Sequence, residues 1–438
     1  MATKRPRSPE LISNPFIKKC NLEWSLDIPS HPQADEEQKD DEEAGGGPSL
    51  SAALESGAAT HRDPAAHFFA HLAGAALEPY PKDTPRLPPA EFRHLFERSV
   101  GSDRGAHFVV HQHDHPVAGT HYDLRLQVNG ASSVSWAVMY GLPGDPNSKR
   151  LNRNATETRV HCLWNHVVET GSAETGSLVI WDCGTYEVLP RVRPGVVDPD
   201  SGGEEAEEEE REDENEGTEQ EKLARAFRER KIRVRLRGWR LPRDYVLNLR
   251  LTKGEDAEGR RKSARALGKP RRRRRRGGIG EKAAAAAVET SSDDDDEEEE
   301  QRLGETDVVP EPGGGEGEKG LTEMERELRE LEDEEVRRTN AYKGAENSVG
   351  SMYQRRWYLS LDREGSGFVK GRRGWVRDRE KKEEEEDDGG SGRLRFPFYV
   401  KGPEVERSVI TGRLGEEVLR DEGVVGFVKR RGWKPVLN

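Results

Sequence analysis

The sequence contains no long apolar run. No stretch approaches the length of a bilayer span, and the short basic start, MATKRPRSPE, lacks the apolar segment of a secretory leader. Cysteine is scarce. Cys20, Cys162 and Cys183 are widely spaced and odd in number, which excludes a disulfide framework and a paired zinc knuckle and points to a reducing compartment. Apolar residues are also few: 32% of the 438 positions are hydrophobic and 35% are charged. Apolar burial therefore cannot run along the whole chain, and one principal folded domain with charged insertions is expected. A uniformly basic surface is missing too, because the formal net charge is -13. Much of that acid sits in a few runs, so a basic core remains compatible with the total and nucleic acid is not excluded as a partner.

What the chain does have is a concentrated stretch from His107 to Val128, HFVVHQHDHPVAGTHYDLRLQV. Two period-two patterns flank a turn. In the first, His107, Val109, His111 and His113 share one face. In the second, His121, Asp123, Arg125 and Gln127 share a face opposite Tyr122, Leu124, Leu126 and Val128. Pro116 and Gly119 fall in the linking segment, so a hairpin would bring His113 close to His121 and Asp123. Two imidazoles and a carboxylate suffice for a divalent metal site with open positions, suited to Mn²⁺ or Zn²⁺. Arg125, two residues beyond Asp123, could hold a phosphate through paired hydrogen bonds. The plainer alternative is a polar strand face with an internal Asp–Arg pair. His107, His111 and His115 are expected at the surface, and Trp136 and Trp181 in the core or at its rim.

Further short strands are expected at Ser133–Tyr140, Thr158–Val168, Ser177–Trp181, Thr185–Leu189, Lys231–Leu236 and Tyr245–Leu251, with a turn at Asp182–Gly184. Each has a wet face and no regular crossover helices separate them. The fold class that follows is mainly β, a compact antiparallel β-barrel with disordered charged insertions and a small C-terminal extension. Residues 1–90 read as a largely disordered N-terminal region, with a weak helix at Ala65–Leu77. Residues 91–251 read as the core, interrupted by an acidic insertion at about 197–221. Residues 252–340 form a low-complexity region, in which GKPRRRRRRGG suits nucleic acid, an import receptor or an acidic partner. Residues 341–438 read as an α/β extension packing on the core, including an ordered stretch at Val424–Val428.

The motifs HQHD, THYDLRL, SWAV and VIWDCGTYEVLP together resemble the 3′-phosphoesterase domain of DNA ligase D proteins and their standalone relatives. KIRVRLRGWRLPRDYVLNLRL looks like the closing strands of that domain, and the flanks resemble a fungal-type elaboration of it. The resemblance covers about Ala106 to Leu251. It implies a β-barrel that removes a 3′ phosphate, and trims a terminal ribonucleoside, from DNA or RNA-tipped DNA 3′ ends with a divalent metal, typically manganese. By the same resemblance His113, His121 and Asp123 are the metal ligands, Arg125 contacts the phosphate, and His161 is a further catalytic, phosphate-contacting histidine. The chain departs from the family at HCLWN, where HPLEY is usual, so Asn165 takes the phosphate-gripping position of a tyrosine. The segment ETGSAETGS replaces a glycine-rich one, and the family's N-terminal arginine, aspartate and glutamate have no evident counterparts.

The expected activity is metal-assisted hydrolysis of a nucleic-acid 3′-phosphate in DNA end processing or repair, with His161 either protonating the leaving oxygen or stabilising the phosphate. No nucleotide-accepting KxDG lysine motif accompanies the core, so a ligase or polymerase would act in trans. No membrane partner is expected, and the location expected is intracellular, in the nucleus. The alternative is a catalytically weak nucleic-acid-binding or repair scaffold. A third reading is a phosphoesterase for small substrates.

Overall fold

The computed structural model describes residues 48–191, 216–258, 340–378 and 392–437. Outside these lie the basic start, Cys20, the segment Asn21–Ile28, the acidic insertion up to residue 215, the arginine run, the helix expected at Thr322–Thr339 and the charged stretch Lys381–Gly390. Among the described residues no helix is long and apolar enough to cross a membrane.

The strands in chain order are β1 (His107–His115), β2 (Gly119–Gln127), β3 (Ser132–Met139), β4 (Asn152–Glu157), β5 (His161–Cys162), β6 (Thr170–Ser172), β7 (Gly176–Val188), β8 (Lys231–Gly238), β9 (Val246–Arg250), β10 (Arg356–Leu361), β11 (Phe368–Gly371) and β12 (Gly374–Arg377). Eight of them close on themselves in the order β1-β2-β3-β4-β10-β9-β8-β7, with β7 pairing back to β1. Every pairing around this ring is antiparallel. Closure removes the free edges that an open sheet would expose. β5 pairs with β3 and β6 with β7, while β11 and β12 form a separate hairpin.

Alternation decides which side chains enter the barrel. Tyr122, Leu124 and Leu126 of β2, Val134, Trp136 and Val138 of β3, and Trp357, Leu359 and Leu361 of β10 all fill its interior. Trp136 and Trp181 are both fully buried there, so neither is placed to stack on a ligand. The helices are α1 (Leu50–Glu55), α2 (Pro64–Ala75), α3 (Pro89–Glu97), α4 (Glu219–Arg228) and α5 (Gly415–Asp421). α4 starts at a capping box in which Thr218 and Glu221 satisfy each other's backbone donors. Its Leu223 and Phe227 reach the barrel core, where the Phe227 ring lies 5.2 Å from that of Trp357. Burying such a phenylalanine contributes about 2–3 kcal/mol.

A second core lies outside the barrel wall. Leu54 of α1, Phe68, Phe69 and Leu72 of α2, and Phe92 and Phe96 of α3 pack with Val109, Leu178, Ile180 and Cys183 on the outward face of β1 and β7. β2 has no wet face, being buried at every position from Gly119 to Gln127, whereas β8 keeps the expected one, with Lys231 and Arg237 exposed. His107 and His111 are likewise fully buried rather than at the surface.

Two further expectations change. Thr158–Val168 is not one strand: His161 and Cys162 form the short β5, and Leu163–Val167 winds into a 3-10 turn that seats Leu163 and Val167 in the outer core. The turn expected at Asp182–Gly184 lies inside the continuous strand β7. Gly184 is there for close approach, since a Cβ would meet the Arg237 carbonyl oxygen at 2.1 Å. Asp182 accepts from the backbone N–H groups of Trp239, Arg240 and Leu241, tying the loop after β8 to β7. Val424–Val428, read as an ordered stretch of the tail, is irregular backbone with Val425 89% exposed.

The strand β10 comes from beyond residues 259–339, and the closing strands read at Lys231–Leu251 are followed by this one more stave. Glu157, fully buried at the end of β4, anchors it. Its carboxylate accepts from Arg355 Nε at 2.7 Å, from Trp357 Nε1 at 2.8 Å and from the Met352 N–H at 2.7 Å.

Candidate metal centre and phosphate cleft

Strand register builds the cluster. His113 stands directly opposite His121 across the β1–β2 ladder, and His111 opposite Asp123. All four project from the outer wall of the barrel, where side chains on directly paired positions lie within reach of each other. Gly119, at φ 80°, closes the hairpin in a conformation that glycine adopts without strain. His113 Nδ1 lies 3.6 Å from one Asp123 oxygen and His121 Nε2 lies 3.4 Å from the other. One donor atom from each of His113, His121 and Asp123 falls within 4.8 Å of the others.

The far nitrogen of each imidazole is already engaged. His113 Nε2 donates to the Thr175 carbonyl at 2.8 Å, and His121 Nδ1 donates to the Gly119 carbonyl at 2.9 Å. These bonds fix the tautomers that leave a lone pair on His113 Nδ1 and on His121 Nε2, the two atoms that face Asp123. Carbonyl-anchored imidazoles with a carboxylate between them are the donor set of a divalent metal site, so the residues present fit such an ion.

Electrostatics agree with this arrangement. Burial works to raise the Asp123 carboxyl, but His121, His113 and Arg125 together hold it well below the usual carboxylate range. Burial pushes His121 down to about 4 against the pull of Asp123. Burial acts the same way on His113, but Asp123 outweighs it and leaves that imidazole raised.

Arg125 is 5% exposed. Its Nη2 meets Asp123 at 3.3 Å and its Nη1 donates to the Asn165 carbonyl at 3.1 Å. From there the guanidinium lines a cleft of about 160 Å³ together with His161, Asn165 and Trp164. The sequence-derived residues therefore converge as two linked groups: the metal cluster of His113, His121 and Asp123, and the cleft residues Arg125, His161 and Asn165. His161 is held well below its ordinary range, first by burial and then by the Arg125 charge, and its Nδ1 is buried without a hydrogen-bond partner. Glu174, in the ETGSAETGS segment, does not line this cleft.

Sequence reasoning missed part of the lining. Glu55, at the C-terminal end of α1, lines the cleft, as do Tyr342 and Lys343. Burial raises the Glu55 carboxyl, and His113 and Arg125 oppose that rise. No spacing pattern links residue 55 to residue 125, so only the packing of α1 against the wall could reveal it. His111 also emerges as a supporting group: its Nε2 donates to the Val168 carbonyl at 3.0 Å beneath the cluster. His115 caps the hairpin instead, its Nδ1 accepting from the N–H groups of Val117 and Ala118.

The sequence model of the DNA Ligase D 3′-phosphoesterase domain matches residues 111–249. That span contains all six residues that the sequence singled out. Over 130 residues the chain is also 32% identical to the Multifunctional non-homologous end joining protein LigD of Mycolicibacterium smegmatis, covering 29% of this chain. The similarity spans only 15% of the length of that relative. The family match ends before β10, and α1 and Tyr342 lie outside it.

Proposed function

We propose that the chain is a divalent-metal-dependent phosphoesterase that removes phosphate from nucleic-acid 3′ ends, on DNA or RNA-tipped DNA. The observation that carries this reading is the convergence of two imidazole nitrogens and a carboxylate oxygen beside a buried guanidinium at the wall of a cleft. His113, His121 and Asp123 would hold the cation, with Mn²⁺ the first choice and Zn²⁺ the second. When bound, such an ion polarises a phosphate oxygen and lowers the pKa of water.

The chain's own residues do the rest. Arg125 meets the phosphoryl oxygens and balances charge that grows during transfer. Its bonds to Asp123 and to the Asn165 carbonyl hold the guanidinium in place before substrate arrives. His161 is neutral while the cleft is free of anions. An arriving phosphate dianion offsets the Arg125 charge and favours the imidazolium, which can grip the phosphate and pass a proton to the departing 3′ oxygen. The Asn165 side chain lines the same cleft and offers an amide donor.

The end-joining role in the relative's name extends to this chain as a further part of the proposal: action in DNA end processing beside a ligase or polymerase in trans. A nuclear location accords with the arginine run at residues 271–276. The flanks would be a fungal-type elaboration. One observation favours a second reading, a nucleic-acid-binding scaffold of weak activity: Asn165 stands where the related domains place a tyrosine. An oligonucleotide panel with 3′-phosphate, 3′-ribonucleotide and 3′-hydroxyl ends separates the two. With Mn²⁺, the protein should release phosphate from the first end, and His121→Ala and Asp123→Ala should fall below detection with an unchanged circular dichroism spectrum. Tight binding without turnover in Mn²⁺, Zn²⁺ and Mg²⁺ would favour the scaffold.

A further inference from the structure

The mouth of the cleft is finished by residues 340–346, which belong to no part of the family match. This segment is docked by backbone bonds. Val160 N–H donates to the Asn340 carbonyl at 3.0 Å and Tyr342 N–H donates to the Val160 carbonyl at 2.9 Å. Ala341 thereby bridges Val160 in parallel, one residue before His161. The Cys162 thiol and the Ser132 hydroxyl hold the next turn, at the Lys343 carbonyl and the Glu346 N–H. The result is a fixed scaffold for the side chain of Tyr342.

That side chain is unusual for a ring so firmly mounted. Its centroid lies 4.7 Å from that of His161, and the Arg159 guanidinium carbon lies 5.7 Å from it. Yet the residue is 46% exposed and joins neither hydrophobic core. Packing does not account for an aromatic held at this place with so much surface open to solvent. A nucleobase would. Aromatic side chains in single-strand sites offer a π-face on which any base stacks, beside cations that track the backbone. Arg159, over the ring, and Lys343, the next residue along, supply those cations, and both Tyr342 and Lys343 line the cleft that Arg125 and His161 share.

We propose that Tyr342 is the platform on which the base of the 3′-terminal nucleotide stacks, so that the protein takes ends whose last base is unpaired. The inference rests on the phosphoesterase reading for the position of the phosphate, with the base beside it. It makes Tyr342 a specificity-determining residue for nucleic acid over small phosphomonoesters, contributed by the chain outside the matched segment.

The test uses the full-length protein and two 3′-phosphorylated single strands, one ending in 2-aminopurine and one in an abasic sugar. Tyr342→Ala should raise KM for the base-bearing end about tenfold, the scale of one lost base–aromatic stack, and leave KM for the abasic end unchanged. Tyr342→Phe should behave as the unaltered protein on both. Equal losses on the two ends would reduce Tyr342 to a support for His161 and overturn the proposal, as would no loss on either. Quenching of 2-aminopurine fluorescence on binding, measured without metal, needs no turnover. Quenching that disappears in Tyr342→Ala keeps the platform even if no phosphate is ever released, an outcome that would sink only the phosphoesterase reading. Absence of quenching in the unaltered protein overturns the platform.

Discussion

Within residues 111–249, two neighbouring strands bring the candidate metal ligands together by pairing alone, because His113 and His121 face each other across a ladder only a short turn apart. Outside those residues, what completes the cleft and the barrel is not local. Glu55 reaches the cleft from α1, Tyr342 reaches it from a segment docked on Val160, and β10 enters the barrel between β4 and β9 after residues 259–339. The matched segment carries the candidate metal ligands, while its surroundings carry enclosure: they bury a strand face that would otherwise be wet, close the ring of strands and shape the mouth. A phosphoesterase-like cluster set in such a frame gains desolvation, which strengthens the pull between Asp123, Arg125 and the imidazoles.

If the flanks are integral to the barrel, cutting their grip on the matched segment should have the largest effect. Glu157 belongs to that segment, but its partners Arg355, Trp357 and Met352 belong to the flank. Glu157→Ala leaves Arg355 with only Asp256 as a buried counter-charge. Removing one member of a buried ion pair costs about 3–5 kcal/mol, so urea unfolding should show a loss of that size. A loss under about 1 kcal/mol would make β10 an appendage and break the comparison.

The contrast also explains what could be read in advance. Alternation located β1, β2, β3, β8 and β9 because each has an apolar face turned into the barrel. It located His113, His121, Asp123 and Arg125 because a two-residue period puts them on one face. It missed β4, whose sequence Asn152–Glu157 has Ala155 as its lone apolar residue and whose pairing is decided by neighbours on both sides. It broke β7 at Gly184, where the small residue serves close strand approach instead of a turn. It could not foresee burial of His107, against which Phe92 and Phe96 fold back from a distant helix, or of His111, whose Nε2 bonds the Val168 carbonyl. Local period is written in adjacent residues; tertiary cover is not.

A second pair of variants sharpens the division between chemistry and enclosure. Arg125→Lys keeps the charge but loses the planar fork that bonds Asp123 and the Asn165 carbonyl together. Loss of a positioned transition-state donor lowers turnover by about 100-fold or more, and kcat on a 3′-phosphorylated oligonucleotide should fall on that scale. Glu55→Gln, in α1, should lose less than the roughly 100-fold that marks a general acid or base. A loss equal to that of Arg125→Lys would move Glu55 from the enclosure into proton transfer, and the line between the matched segment and its flank would no longer separate the two roles.

The smallest effect concerns residues 259–339, which separate β9 from its direct neighbour β10. Replacing them with a ten-residue Gly/Ser linker retains Asp256, the partner of Arg355, and Asn340, the partner of the Val160 N–H. Loop-closure entropy changes by about 0.6 kcal/mol for each halving of length, so the shortening should raise stability by roughly 1–2 kcal/mol. Thermal and urea unfolding of the shortened chain measure this directly, and 3′-phosphate release should stay unchanged. The sign is the informative part. A gain means that the frame is complete in the described strands and helices, and that the intervening residues enter the fold only through the length they add. A loss means that they make stabilising contacts, and the enclosure would then extend into a stretch whose composition gave no hint of a core.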